Sequence, residues 1–320
     1  MTAVAVAPAG RVVRLAPLGG VLLVAAGAAM WGADGALRAP LVSHWSPWTI
    51  VLFEHILLTA AVAPHLYRRR AALSSLPWRA WVSVVGVAWG GSALATLAFT
   101  FAFQNGNPDV VILLQKTQPL WALAAAGLVL GERAPARLIP LATVALVGTY
   151  LLSFGALNPS EAFSGAQGKA AVLALTAAAL WGSATVLGRT ALRSMEPGVL
   201  TGLRFTVALP LLAVIAVSQG AVAPPTGASG VDWLRLGLLA LVSGLVGMSL
   251  YYRGLRRTPA SVATFAELAF PASALVINYF ALGTTVDAVQ LTGFFILWVA
   301  IAALHWVPVR VPRRAASGTA

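Results

Sequence analysis

Apolar residues along this chain fall into ten long runs, separated by short segments that hold Pro, Gly and charged residues. A helix needs about 20 predominantly apolar residues to cross the hydrocarbon core of a bilayer. The pattern therefore predicts an all-α integral membrane protein with ten transmembrane helices. The predicted helices of the first half are Leu18–Leu37, Trp48–Leu66, Trp81–Phe103, Val110–Leu130 and Leu138–Phe154. Those of the second half are Ala170–Leu187, Val199–Val217, Leu234–Tyr252, Ala260–Leu282 and Ala288–Trp306.

The composition agrees with a protein that lies almost wholly in the lipid bilayer. Hydrophobic residues make up 59% of the 320 positions and charged residues only 9%, against about 25% charged residues in an ordinary soluble domain. Ten spans leave only short loops, so no sizeable soluble domain is expected. The absence of cysteine excludes disulfides and thiolate metal sites. The first run follows Arg11 and Arg14 like a signal peptide, but its counterpart 150 residues later indicates that it is a permanent helix.

The basic residues give the predicted orientation. With a cytoplasmic N-terminus, 16 of the 21 Lys and Arg residues lie in inside loops and tails, and three (Arg38, Lys169 and Arg235) lie outside. This bias follows the positive-inside rule and predicts that both termini are cytoplasmic. The net charge of +12 is spread in small groups between apolar runs, so it favours contact with anionic lipid and argues against nucleic acid.

The two halves of the sequence repeat each other. Trp31-Gly32 recurs as Trp181-Gly182, 150 residues later. Three prolines and a Leu-Gly pair recur at offsets of 150 to 152: Pro47 and Pro197, Pro108 and Pro259, Pro119 and Pro271, Leu130-Gly131 and Leu282-Gly283. Each copy holds five helices, an odd number, so the second copy must be inverted, which is typical of secondary transporters. The predicted division is a first repeat (1–157), an external linker (158–168), a second repeat (169–308) and a basic cytoplasmic tail (309–320).

These residues resemble the drug/metabolite transporter superfamily, in particular its ten-helix EamA-type members. The resemblance rests on the two Trp-Gly pairs, the run that ends at Arg204, the run from Tyr251 to Ala260, and the segment from Pro119 to Glu132 that ends in Leu-Gly-Glu. It implies a multi-pass carrier in a bacterial inner membrane that exports amino acids or related small metabolites without ATP, by alternating access. The sequence departs from the family pattern at two places. Glu54 stands where the family often has Arg, and the second copy reads Leu-Gly-Thr at Gly283 and Thr284 instead of Leu-Gly-Glu.

Apart from Arg235 at the outer end of the eighth predicted helix, five charged residues lie within predicted helices: Asp34, Glu54, Lys116, Arg204 and Glu267. Each costs about 2.5 to 3.5 kcal/mol at the bilayer centre unless it is paired or hydrated. Glu54 and Lys116 are predicted at one depth, as are Arg204 and Glu267, so two acid–base pairs related by pseudo-symmetry are expected. Asp34 is predicted to form an i,i+4 surface pair with Arg38, with contact to a substrate amine as the alternative.

The two predicted pairs allow two interpretations. Both could clamp helices together permanently. Alternatively, one pair could break and re-form during transport, or Glu54 or Glu267 could bind a proton as the coupling ion. His55, beside Glu54, is interpreted as a packed neutral core residue in preference to a proton relay.

The candidate substrate cavity lies between helices 4 and 9. Helix 4 carries Gln115, Lys116 and Gln118 just before Pro119, and helix 9 carries Glu267 before Pro271. Proline removes a backbone hydrogen bond and kinks a helix, and the freed carbonyls must face protein or a cavity. The remaining candidate lining residues are Trp31, Trp181 and Tyr252.

The sequence contains no arrangement that indicates catalysis or a cofactor. The four His residues lack metal-ligand spacing, and neither a nucleophile elbow, a P-loop nor a dinucleotide fingerprint is present. The predicted function is secondary export of amino acids or related metabolites, with the bilayer, the substrate and, in a coupled mechanism, protons as partners. An exchanger or importer of sugar-phosphate or nucleotide-sugar anions is the first alternative, and an intramembrane enzyme is a remote one.

Overall fold

The computed structural model describes residues 11–15, 17–106, 108–131, 138–154, 168–282, 287–303 and 308–312. Several predictions lie outside these ranges, namely the charges at Arg133, Arg137, Glu161, Arg313 and Arg314, the Thr284 departure, and the 158–168 linker apart from Gly168, where a helix begins.

Apolar helices coincide with every predicted span. Those of the first half are α1 (Leu18–Trp31 continued by Asp34–Val42), α2 (Pro47–Arg68), α3 (Trp78–Asn105), α4 (Pro108–Gln115 continued by Gln118–Leu130) and α5 (Leu138–Phe154). Those of the second half are α6 (Gly168–Ala191), α7 (Pro197–Ser218), α8 (Gly230–Leu255), α9 (Ala260–Ala266 continued by Ala269–Leu282) and α10 (Ala288–Ala303). A short helix, Arg70–Ser74, follows α2.

Seven helices in the described ranges are long and apolar enough to cross a membrane, and α4, α5 and α10 contain shorter apolar helices. Large apolar side chains such as Leu128 and Phe280 are more than four-fifths exposed, as expected of surfaces that contact lipid. The chain is therefore a multi-pass helical membrane protein, and the number of ten spans stays a prediction.

A two-stranded ribbon departs from the all-α prediction. Strand β1 (Arg11–Leu15) pairs antiparallel with strand β2 (Pro308–Pro312), with Arg11 opposite Pro312 and Leu15 opposite Pro308. Backbone pairing between two short segments so far apart in sequence requires that they meet in space. The two ends of the described chain therefore lie at the same end of the helical bundle, which is the arrangement that the predicted ten crossings would give.

Helices of each half pack mainly on helices of the other half. Helix α1 packs on α8 and α9 of the second half, and its counterpart α6 packs on α3 and α4 of the first half. Helices α2 and α7 pack on each other, as do α5 and α10. These reciprocal contacts are those expected of two copies related by an approximate twofold axis, and they bring α1, α3, α4, α6, α8 and α9 together at the centre.

Helices α3 and α8 each contain a stretch of π-helix, at Gly86–Leu94 and Leu239–Gly247 respectively. Such stretches are rare and are found frequently at functional sites. Here they contribute Ser92 from α3 and Ser243 from α8 to the lining of one cavity. The irregular turns therefore occur at corresponding places in the two halves, beside the candidate site.

Candidate functional site

A cavity of about 130 Å³ lies between the two halves. Its lining comes from six central helices and from α2 and α7. The charged lining residues are Asp34, Arg38, Glu54, Arg204 and Glu267, and the aromatic ones are Trp31, His55, Phe99, Trp181, Phe205, Tyr251, Tyr252 and Phe270. The lining therefore combines aromatic rings with buried charges, as in a binding site for a small molecule.

The structure brings the predicted cavity residues together. Trp31, Gln115, Gln118, Trp181, Tyr252 and Glu267 all line the main cavity. Lys116 lines a smaller cavity of about 20 Å³ that shares Gln115, Gln118 and Glu267 with the main one. Pro119 also lines the smaller cavity, whereas Pro271 lies outside both linings.

Helices α4 and α9 are both interrupted beside this cavity. Helix α4 is interrupted by a turn at Lys116 and Thr117 and resumes at Gln118, next to Pro119. Helix α9 is interrupted at Glu267 and Leu268 and resumes ahead of Pro271. Proline has no N–H to donate to the carbonyl one turn earlier, which explains why each helix is interrupted just before its proline. The polar residues of both helices are placed at these breaks.

The repeated Trp-Gly pairs have matching roles in the two halves. An ideal Cβ on Gly32 would lie 2.7 Å from the backbone nitrogen of Ala274 in α9, and one on Gly182 would lie 2.8 Å from the backbone nitrogen of Ala122 in α4. Only glycine allows the backbones to approach so closely. The Trp31 indole N–H donates to the Ser243 carbonyl at 3.1 Å, as does that of Trp181 to the Gly91 carbonyl at 2.8 Å.

Glu267 lies in a network of neutral donors. Its carboxylate accepts hydrogen bonds from the Tyr251 hydroxyl at 2.8 Å, from the Thr185 hydroxyl at 3.2 Å and from the Gln118 amide. The Gln115 amide donates to the Gln118 oxygen at 2.7 Å. The Lys116 ammonium in turn donates to the Gln115 oxygen at 2.8 Å. Two glutamine side chains therefore connect a buried ammonium group to a buried carboxylate.

The predicted pair between Glu267 and Arg204 is wrong. The Arg204 guanidinium donates to the Ser92 hydroxyl at 2.5 Å, to the Gly91 carbonyl at 2.9 Å and to the Tyr252 hydroxyl at 2.9 Å. Within the described ranges, no carboxylate lies within 4.0 Å of it. The π-helical stretch of α3 supplies two of these acceptors, Ser92 and Gly91, and α8 supplies Tyr252, whereas the prediction expected the partner of Arg204 on α9.

The predicted pair between Glu54 and Lys116 is also wrong, because the partner of Glu54 is Arg38. The Arg38 guanidinium lies 3.2 Å from the Glu54 carboxylate and 2.6 Å from that of Asp34, and it donates to the Thr100 hydroxyl at 3.0 Å. Lys116 instead lies 3.2 Å from the ring centre of Phe270 and beside Gln115.

The predicted pair between Asp34 and Arg38 exists, but it is buried within the bundle. The prediction placed the pair at the surface and Arg38 outside the first helix. The predicted first helix ended at Leu37, whereas α1 continues to Val42 and so places Arg38 within the bundle. The Arg38 side chain is 1% exposed and that of Asp34 is 14% exposed. Arg38 therefore holds two carboxylates in the cavity wall.

Sequence reasoning missed four residues that build this site: Arg38, His55, Ser92 and Tyr251. The i,i+4 spacing of Asp34 and Arg38 was a usable signal, since a pair on one helix face is compatible with burial. Tyr251 lies at the start of a run that carries the family resemblance, which was a usable signal, whereas an isolated Ser92 in an apolar run gave none. In the ranges that the structure describes, no group of three or more His, Asp or Glu side chains could hold a metal ion.

Comparison with known proteins identifies the fold and the family. The chain is 32% identical over 288 residues to the riboflavin transporter ImpX of Fusobacterium nucleatum subsp. nucleatum, over 88% of this chain and 96% of that protein. A solved crystal structure that is 19% identical covers 89% of this chain and 95% of its own, with a TM-score of 0.71, and so shares the fold. The model of the EamA-like transporter family matches twice, at residues 18–154 and 168–306. The resemblance and the duplication inferred from the sequence are thus confirmed, and the chain belongs to the EamA-like transporter family.

Proposed function

We propose that the protein is a secondary transporter that moves a small metabolite across a bacterial cytoplasmic membrane by alternating access, with the central cavity as its substrate site. The observation that carries this proposal is the position of the cavity between two repeats whose helices pack on each other. Substrate sites of inverted-repeat transporters lie at such an interface, near the bilayer midplane. Cytoplasmic termini are supported by the 16 to 3 distribution of basic residues and by the rule for basic loops.

The lining favours a flat ring that carries hydrogen-bonding groups. Aromatic side chains reach the cavity from both halves, among them Trp31 from α1, Phe99 from α3 and Trp181 from α6. Rings of this kind stack on flat conjugated ligands, while Gln115 and Gln118 offer amide groups. Riboflavin, the substrate in the name of the 32% identical relative, combines both features. It is therefore the first substrate to test.

Export of amino acids is the second candidate, and the distribution of charge favours it. Arg38 holds two carboxylates, so the group of Asp34, Arg38 and Glu54 carries one excess negative charge. Arg204 lies elsewhere in the lining and is held by neutral acceptors. A zwitterion has separated charges that match this arrangement. Phosphorylated sugars fit less well, because a lining with three carboxylates and two guanidinium groups gives no net attraction for a dianion.

Proton coupling through Glu267 completes the proposal. A buried carboxylate that is held by hydroxyl and amide donors, without an adjacent cation, accepts a proton at lower cost than one in an ion pair. Glu267 has that environment, whereas Glu54 touches Arg38. Glu267 is therefore the proposed coupling residue.

Counterflow in liposomes tests this function. Purified protein is reconstituted into liposomes that contain an unlabelled compound, and entry of the labelled compound is followed for riboflavin and for each member of an amino acid panel. We expect accumulation with one class and none in protein-free liposomes. Trp181→Ala should weaken accumulation, because it removes a ring from the lining, whereas Trp78→Ala, on an exposed tryptophan outside the lining, is the matched control. Absence of counterflow with every compound would contradict the proposal.

A further inference from the structure

One cavity residue has a buried polar atom without a protein partner. His55 follows Glu54 on α2, is 2% exposed and lines the main cavity. Its Nε2 atom has no hydrogen-bond partner among the described residues. Buried polar side-chain atoms are satisfied in the large majority of cases, and an unsatisfied one costs stability. Because His55 belongs to the cavity lining, an unsatisfied atom of its ring calls for an explanation.

The hydrogen bond on the other ring nitrogen fixes the state of the imidazole. Nδ1 lies 2.9 Å from the carbonyl oxygen of Val51. Because a carbonyl oxygen only accepts, Nδ1 carries the proton, and Nε2 of the neutral ring is an acceptor. A second proton would bury a positive charge on a ring that is 2% exposed, and no carboxylate of the described residues lies within 4.0 Å of it, so the charged form would lack a partner. The neutral ring is therefore the form that fits this environment, and its free atom can only accept.

Comparison of the two repeats distinguishes a packing role of the His55 ring from a hydrogen-bonding role. The position equivalent to His55, 150 residues later, is Phe205. The two rings contact each other edge to face, with centroids 5.8 Å apart and planes at 75°. A phenyl ring therefore satisfies the packing at the equivalent position, and the acceptor nitrogen is what the histidine adds.

We infer that His55 is a substrate-binding residue whose Nε2 atom accepts a hydrogen bond from an N–H or O–H group of the transported molecule. The inference rests on the proposed transport function and narrows its substrate class to molecules that can donate a hydrogen bond from a ring N–H, from an amide, imide or ammonium N–H, or from a hydroxyl group. The imide and the ribityl hydroxyls of riboflavin belong to this class. A group that carries only acceptors, such as a carboxylate or a phosphate dianion, does not satisfy the atom.

Three variants test this role in the liposome counterflow assay, with whichever panel compound the wild-type protein moves. His55→Phe keeps an aromatic ring but removes the acceptor, and His55→Gln returns an oxygen near the position of Nε2. Thr59→Val is the matched control, since the Thr59 hydroxyl is also buried without a partner on α2 but lies outside the cavity lining.

We expect His55→Phe to raise the KM about tenfold, the usual effect of losing one buried hydrogen bond. His55→Gln should recover most of the affinity, and Thr59→Val should leave the KM unchanged. The thermal midpoint of His55→Phe in detergent should stay close to that of the wild type, which separates a binding role from a packing role.

The outcomes separate the inference from the proposed function. If the wild-type protein transports a panel compound and His55→Phe moves it with the same KM, the inference is overturned and the function stands. A KM that rises equally in His55→Phe and His55→Gln, together with a lowered thermal midpoint, assigns His55 to packing and also overturns it. A wild-type protein that moves no compound removes the function and the inference together.

Discussion

Arg38 is predicted to be the most important single charge for the stability of the first repeat. The substitution Arg38→Met keeps much of the length and apolar bulk of the side chain and removes its charge. It leaves the carboxylates of Asp34 and Glu54 buried without a cation and the Thr100 hydroxyl without that donor. Breaking a buried ion pair by removing one partner costs about 3 to 5 kcal/mol, and two carboxylates place this case at the upper end.

Substitution of Glu54 is expected to cost less. At an effective dielectric constant of about 20, unit charges at the 3.2 Å separation of Arg38 and Glu54 attract by about 5 kcal/mol. Desolvation offsets much of that attraction, and Glu54→Gln leaves Arg38 with Asp34 at 2.6 Å. We therefore expect a loss of about 1 to 2 kcal/mol for Glu54→Gln, in the range of one charged hydrogen bond.

A double-mutant cycle measures these couplings. Unfolding by SDS in mixed micelles gives the free energy for the wild type, Arg38→Met, Glu54→Gln and the double variant. The expected coupling is about 1 to 3 kcal/mol, as for residues in direct contact. A second cycle with Lys116→Met and Glu54→Gln should give a coupling near zero, because Lys116 contacts Gln115 and Phe270 instead. A large coupling in the second cycle with none in the first would refute the assignment of partners.

Three further predictions concern orientation, packing and coupling. Because the chain contains no cysteine, single cysteines report the topology cleanly: Arg256→Cys should be labelled only from the cytoplasm and Gly230→Cys only from outside. Gly32→Ala should lower the thermal midpoint and transport, since its Cβ would lie 2.7 Å from a backbone nitrogen of α9, whereas Gly35→Ala, with no atom within 4 Å, should behave as wild type. Substrate-dependent acidification of liposomes should disappear in Glu267→Gln while counterflow persists, and acidification that survives unchanged would remove Glu267 as the proton carrier.

The positions of the helices could be read from the sequence, because a membrane span is determined by local apolar length. The break before Pro119 is equally local, since the missing N–H of proline acts one turn away. The partners of the buried charges could not be read. Glu54 and Lys116 were paired by depth alone, but depth does not say which helix faces which. The extra turn of α1 that carries Arg38 into the bundle decides the pairing.

The duplication explains why the framework of the site was easier to predict than its chemistry. Trp31 and Trp181 make the same backbone contact in the two halves, because that contact holds the repeats together and the approximate twofold axis requires it twice. Side chains that face the cavity have no such requirement, since one substrate occupies one cavity. Glu54 and Arg204 occupy equivalent positions but carry opposite charges. Glu54 contacts Arg38, and Arg204 donates to Tyr252. Repetition therefore identifies residues that build the interface, of which Trp31 and Trp181 also line the cavity, while the positions at which the two copies differ are the further candidates for contact with the transported molecule.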